Sequence, residues 1–283
     1  MKPIIVVHGI GGGDSVTKNG FSHDLKAAVI SETATETTSD FWIEAAWEGV
    51  NDKLDAHIKD IATQLIPEAT HALREDYPKT WCGLFQYWGK NIANIFANSM
   101  RKNIPTLVDY LLDFPLYLGE PRGAEIRKIV KDAIIANPHS VLVGHSLGSL
   151  ICYDVLCEAT HNGIELEVDA LVTLGSPIGW AKTVDDDRFI TVKPASIRTT
   201  WINFYYPNDP VCLSRPLDET NFINVTNLKL EPTTSVGLLA HTAYWRDKNV
   251  AKRIRALTNI GEVESRAGEE HVQRGCDSGS ESP

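Results

Sequence analysis

The stretch VLVGHSLGSLICYDVL, residues 141–156, decides how the rest of the chain reads. An apolar strand over Ser140–Val143 runs into the turn Gly144-His145-Ser146-Leu147-Gly148, and a helical stretch follows over Leu147–Ala159. Gly-x-Ser-x-Gly arises by chance in about one chain in ten of this length, so the five letters alone decide little. The strand before them and the helix after them carry the weight. A serine on so tight a turn is held out above the end of the sheet, and glycines on either side leave room for backbone that would otherwise meet side chains. The helix that starts beside it aims the Leu147 backbone N–H, with the helix dipole behind it, at any negative charge developing there.

Outward from this turn, short apolar runs alternate with helical stretches. Pro3–Val7 reads as a buried parallel strand ending at a glycine cluster. Phe21–Ser31 reads as a helix, Phe41–Ala46 as a strand, and Ala124–Ala136 as the helix before the serine strand. Two further strands are expected at Asp169–Leu174 and Trp201–Tyr205. Such alternation implies an α/β domain with a mainly parallel sheet flanked by helices. The interval Asn51–Glu120 breaks the rhythm. It is helical in pattern throughout, with Phe85, Trp88, Ile92, Ile95 and Phe96 on one face and Leu107, Leu111, Phe114 and Leu118 on another. It reads as an insertion whose apolar faces either pack on the domain or act as a lid over a substrate pocket. Residues 261–283 hold almost no large apolar side chain and read as a disordered polar tail, leaving residues 1–260 as one domain.

A formal net charge of −10 without any local basic run argues against nucleic acid as a partner. The five scattered cysteines include no CxxC pair, so they suggest neither a metal nor a redox site but buried thiols in a reducing cytoplasm. The apolar start is too short for a signal h-region and no uninterrupted apolar run reaches spanning length, so the expected location is cytoplasmic. Any membrane contact would be peripheral, through the helical pattern of residues 81–118.

For the remaining chemistry, the run HGIGGG at residues 8–13 follows the first strand and can bring backbone N–H groups close to a ligand; Ile10 is the expected second oxyanion donor. A phosphate-binding loop is the competing reading, but GIGGGD lacks the Lys and Ser/Thr of a Walker motif. His8 reads as a residue that orders this turn. In WINFYYPNDPVC, Asp209 sits in a turn bounded by Pro207 and Pro210 after a strand, which suits the acid of a triad. Asp185, Asp186, Asp187, Asp218 and Glu219 are the reserves. Of nine histidines, His241 in LLAHTAYW comes last before the final helix and completes the order Ser, Asp, His. His145, within the serine turn, is expected to pack beneath Ser146, while His139, His161 and His271 lack a suitable context.

Together HGIGGG, GHSLGSL, TLGSP, YYPNDPV and HTAYW resemble the lipase and serine-esterase branch of the α/β-hydrolase superfamily, over roughly Lys2–Thr258 apart from the insertion. The resemblance implies an α/β-hydrolase fold with a short sheet, because Met1 lies almost on the strand that leads to the oxyanion loop. It implies catalytic roles for Ser146, Asp209 and His241, oxyanion roles for Ile10 and Leu147, and pocket positions for Ser176 and Pro177. It also implies hydrolysis of a small-molecule or lipid ester with an apolar acyl group, needing no metal or organic cofactor. Thioester hydrolysis and acyl transfer share the same first step. A binding or effector protein that keeps the fold without turnover is the reading from a different class.

Overall fold

The structure is a computed structural model that describes residues 1–9, 20–31, 41–47, 117, 122–181, 194–209, 211–212, 216–217, 222, 224–232 and 238–258. In chain order its elements are β1 (Ile4–Val7), α1 (His23–Ser31), β2 (Trp42–Ala45), α2 (Arg122–Ala136), β3 (Ser140–His145), α3 (Leu147–His161) and β4 (Val168–Leu174). They continue with α4 (Ile178–Ala181), β5 (Ile197–Tyr205), β6 (Val225–Lys229), α5 (Leu238–His241), a 3-10 turn (Ala243–Arg246) and α6 (Lys248–Thr258). The strands form one sheet in the order β2-β1-β3-β4-β5-β6, and every pair is parallel. The expectation of a mainly parallel sheet flanked by helices is met, and sharpened to six parallel strands.

A parallel sheet is stable only when both faces are covered, and the strand compositions reflect this. Every residue of β1, β3 and β4 is buried. Successive side chains point to opposite faces and feed two separate apolar layers. Ile5, Val7, Leu142, Leu171 and Trp201 pack with Ile126 and Val130 of α2 and Leu150 and Ile151 of α3. Ile4, Val6, Val141, Val143, Val172 and Ile202 pack with Leu25 and Val29 of α1 and Val250 and Ile254 of α6. The buried positions Ile126, Val130 and Ile134 recur every four residues, so α2 offers a single apolar stripe to the sheet.

Strand β6 was not expected from the sequence. Its segment VTNLK is half exposed at the sheet edge and carries little apolar signal. It pairs in parallel with β5, and side chains add to the ladder: Asn203 Nδ2 donates to Asn227 Oδ1 at 3.0 Å, the Leu217 N–H donates to the same oxygen at 2.9 Å, and Asn227 Nδ2 donates to the Leu217 carbonyl at 2.7 Å.

From β1 the chain moves outward one way to β2, and from β3 it moves the other way through β4, β5 and β6. The carboxyl ends of the adjacent strands β1 and β3 therefore flank the point where strand order reverses, the usual place for a ligand crevice in an open α/β sheet. His8-Gly9 follows one of those ends and Ser146 the other. Of the insertion, only Tyr117 lies among the described residues. It is fully buried, and its hydroxyl donates to Asp154 Oδ2 of α3 at 2.6 Å. The two apolar faces read at Phe85–Phe96 and Leu107–Leu118, the tail 261–283, and the acidic reserves Asp185, Asp186, Asp187, Asp218 and Glu219 lie outside the described residues. No helix of the described residues is long and apolar enough to cross a membrane.

Candidate active site

Ser146 occupies the turn between β3 and α3 with φ 55° and ψ −128°, a backbone conformation that side chains rarely adopt and that costs on the order of 1–3 kcal/mol. Hydrogen bonds on both sides hold it there: the Ser146 N–H donates to the Leu174 carbonyl at 2.9 Å, and its carbonyl accepts the Ser149 N–H at 3.0 Å. The flanking glycines are required by close approach. A Cβ on Gly148 would stand 2.3 Å from the Val7 carbonyl oxygen, and one on Gly144 would stand 2.6 Å from Ser149 Cα. Gly9, after β1, lies directly on the serine, since a Cβ there would fall 2.4 Å from Ser146 Cβ and 3.0 Å from its hydroxyl. Leu147 is the first residue of α3, where backbone N–H groups have no partner within the helix. Ile10 lies outside the described residues.

Asp209, in the turn after β5, and His241, the last residue of α5 after β6, are brought together. Both are buried, and His241 Nδ1 stands 2.9 Å from Asp209 Oδ2 and 3.0 Å from Oδ1. Because a carboxylate only accepts, this nitrogen carries the proton and leaves Nε2 as the basic atom. Two further donors fix the carboxylate: the Val211 N–H to Oδ1 at 2.8 Å and the Tyr244 hydroxyl to Oδ2 at 2.8 Å. Burial works against the charge on Asp209, but the neighbouring His241 and these hydrogen bonds outweigh it and hold the carboxyl below its ordinary range. The pair reaches the strand end next to Ser146. Gly175 follows Leu174, the residue bonded to the serine N–H, and a Cβ there would fall 2.7 Å from Asp209 Oδ2 and 3.0 Å from His241 Cε1.

Two other histidines brace these parts. His145 directs Nε2 at the carbonyl oxygen of His241, 2.7 Å away, with its ring between those of His241 and Trp245 at centroid distances of 4.6 and 4.7 Å. It thus holds the backbone of His241, a more specific task than packing beneath the serine. His8 lies flat on the Trp47 ring at 4.8 Å, directs Nδ1 at the Gly9 carbonyl at 2.6 Å and accepts the Trp47 N–H on Nε2 at 3.4 Å. These contacts fix His8 against Gly9; the rest of the glycine run lies outside the described residues. Ser176 and Pro177 are buried behind the serine turn, where Ser176 Oγ stands 2.7 Å from Ser149 Oγ.

Burial lowers the pKa of His8 to about 4; burial, and then the nearby His241, lower that of His145 to about 3. Both folded values lie below the ordinary 6.5, so the unfolded chain binds more protons. The stability they contribute is fully present above about pH 6.5 and is lost as the pH falls toward 4 and then 3. By pH 5 the loss is about 2 kcal/mol for each histidine. Urea unfolding at about pH 7 and pH 5 should show this difference, and a stability that stayed flat over that interval would refute it.

Sequence reasoning missed Tyr244. The signal was present, because a residue three positions after His241 in a helical turn shares its face. Gly175 was passed over within TLGSP, since the groups that demand a glycine there lie far along the chain.

The serine turn between a parallel strand and a helix, with Asp209 and His241 following in that order beyond the later strands, decides the architecture. The chain has the α/β-hydrolase fold. No family model matches it. It is 35% identical over 83 residues to a probable mitochondrial phospholipase of Saccharomyces cerevisiae. That match covers 25% of this chain, which spans only 12% of the yeast protein. Among solved structures, a protein of Lactobacillus plantarum taken for a cell surface hydrolase matches 97% of this chain and 98% of its own at 14% identity and a TM-score of 0.36. A CIB-like hydrolase of Thermoplasma acidophilum, so assigned by prediction, matches 50% of this chain and 63% of its own at 18% identity and a TM-score of 0.33. The hydrolase fold of this chain therefore rests on its own sheet order and serine turn.

Proposed function

We propose that the protein is a serine hydrolase that cleaves carboxylic esters with apolar, lipid-like acyl groups. The observation that carries this reading is the buried Asp209–His241 pair standing at the strand end beside a conformationally strained Ser146. In the reaction His241 Nε2 takes the Ser146 hydroxyl proton as the oxygen attacks the ester carbonyl. Asp209 keeps the imidazole in the right tautomer and stabilises it once protonated. Negative charge on the carbonyl oxygen is met by the backbone N–H of Leu147 and, from the glycine loop, that of Ile10. Collapse of the tetrahedral species returns the proton to the leaving alcohol and leaves an acyl group on Ser146. Water, deprotonated by the same His241, then releases the acid.

The lipid-like substrate class draws support from the partial match to the yeast phospholipase and from the apolar helical pattern of the insertion. A fluorophosphonate probe should label the protein on the peptide containing Ser146, and Ser146→Ala should abolish labelling. Failure of the wild type to label beside an active serine-esterase control sinks the proposal in favour of a non-catalytic relative of the fold. p-Nitrophenyl esters of graded chain length then test the acyl preference, and acyl-thioester analogues placed beside them test the bond cleaved.

A further inference from the structure

We propose that Tyr244 is a positioning residue of this site, holding the Asp209 carboxylate square to His241 by donating its hydroxyl to Oδ2 while accepting the Tyr206 N–H. The inference rests on the hydrolase reading above. Each carboxylate oxygen has its own anchor besides His241: the Val211 N–H holds Oδ1 at 2.8 Å and the Tyr244 hydroxyl holds Oδ2 at 2.8 Å. Two anchors fix the plane of the carboxylate. With one, it can swing about the remaining bond and lose its two-oxygen contact with His241 Nδ1.

The hydroxyl also accepts the Tyr206 N–H at 2.9 Å, at the root of the turn that carries Asp209. Tyr244 itself follows His241 by three residues, in the 3-10 turn Ala243–Arg246. One side chain thus ties the turn that carries Asp209 to the segment that follows His241, and sets their separation. Burial, and then the charge of Asp209, push its ionisation well up, so it remains a donor across the working pH range. The groups facing the pair are His145 from the end of β3, Cys212 and Tyr206 from the acid turn, and, through the Tyr206 hydroxyl, Asp247. Among the described contacts the donors to the carboxylate are His241 Nδ1, the Val211 N–H and the Tyr244 hydroxyl, and of these Tyr244 is the one side chain besides the base itself.

Tyr244→Phe tests the proposal against p-nitrophenyl butyrate. We expect kcat to fall about 10- to 100-fold with KM within about twofold, the loss of one hydrogen bond to a charged group. The acidic limb of the pH profile, which belongs to the coupled pair, should move up by about one unit as Asp209 gives up less of its charge to Tyr244. In an Asp209→Asn background the same substitution should cost less than about twofold. Equal losses in both backgrounds, or a lower Tm with unchanged kcat and pH profile, overturn the proposal. If the phenylalanine variant fails to fold, 3-fluorotyrosine at position 244 strengthens the donor and should move the acidic limb down; an unmoved limb overturns it. A readout independent of turnover is the low-field proton resonance of the His241–Asp209 hydrogen bond. Its displacement in Tyr244→Phe supports the proposal even if no ester is hydrolysed, and an unchanged resonance refutes it.

Discussion

Asp209→Asn should lower kcat by about 10⁴-fold while leaving the protein folded and KM little changed. The size follows from the donors that converge on this side chain. His241 Nδ1, the Tyr244 hydroxyl and the Val211 N–H all point protons at it, and an amide has only one accepting atom. If the amide oxygen takes the place of Oδ1, the Val211 N–H is satisfied and the NH₂ group faces His241 and Tyr244. The imidazole then moves its proton to Nε2 and cannot act as base. If the amide is reversed, its NH₂ group meets the Val211 N–H, and two donors face one another in a dry site, a penalty of about 1–3 kcal/mol. Steady-state kinetics with a p-nitrophenyl ester, together with a Tm measurement, checks the prediction. A loss of less than tenfold with intact folding would show that the carboxylate does not govern the tautomer of His241.

Gly175→Ala should damage the site in two ways at once, by collision with the Asp209–His241 pair and by a strained backbone. A Cβ there would stand 2.7 Å from Asp209 Oδ2, 2.8 Å from Tyr244 Cε2 and 3.0 Å from His241 Cε1, and the residue has φ +55°. The three neighbours are locked to one another by hydrogen bonds, so relief comes by moving acid and base away from Ser146. A displacement of about 1 Å in a catalytic group costs on the order of 10²-fold in rate. We therefore expect at least that loss in kcat, with a stability cost of about 1–3 kcal/mol from the strained backbone. Gly163→Ala separates the two effects. Gly163 has φ +63°, yet a Cβ there would meet nothing within 4 Å. It should lose stability by about 1 kcal/mol and keep its kcat. Equal kcat values for the two variants would refute the collision argument.

The centre of the fold was legible because buried parallel strands announce themselves as unbroken apolar runs, as in Ile4–Val7 and Val141–Val143. Legibility failed at one edge: β6 pairs with β5, braced by the side chains of Asn203 and Asn227, and has no such run. Within the site, Ser146 was read from a local pattern, since strand, turn, glycine and helix all fall within a few residues. Asp209 and His241 were readable through chain order, which the parallel topology converts into neighbourhood. Gly175 and the work of His145 were not readable. Their partners come from elements far along the chain, and only the three-dimensional path shows that a methyl group is excluded at one or that a carbonyl awaits the other.

Trp47, after β2, and Tyr117, before α2, are the described residues on either side of residues 48–116. Both residues are buried in the same apolar layer as Leu147. Tyr117 is further pinned by Asp154, and its carbonyl sits so close to Gly123 that a Cβ there would come within 2.1 Å. Both residues are thus fastened to the body of the domain. Doubling the length of a closed loop adds only about 0.6 kcal/mol of entropy. A change in the length of residues 48–116 is therefore expected to cost little in chain entropy and to leave the two anchored residues, and the surroundings of Ser146 behind them, as they are.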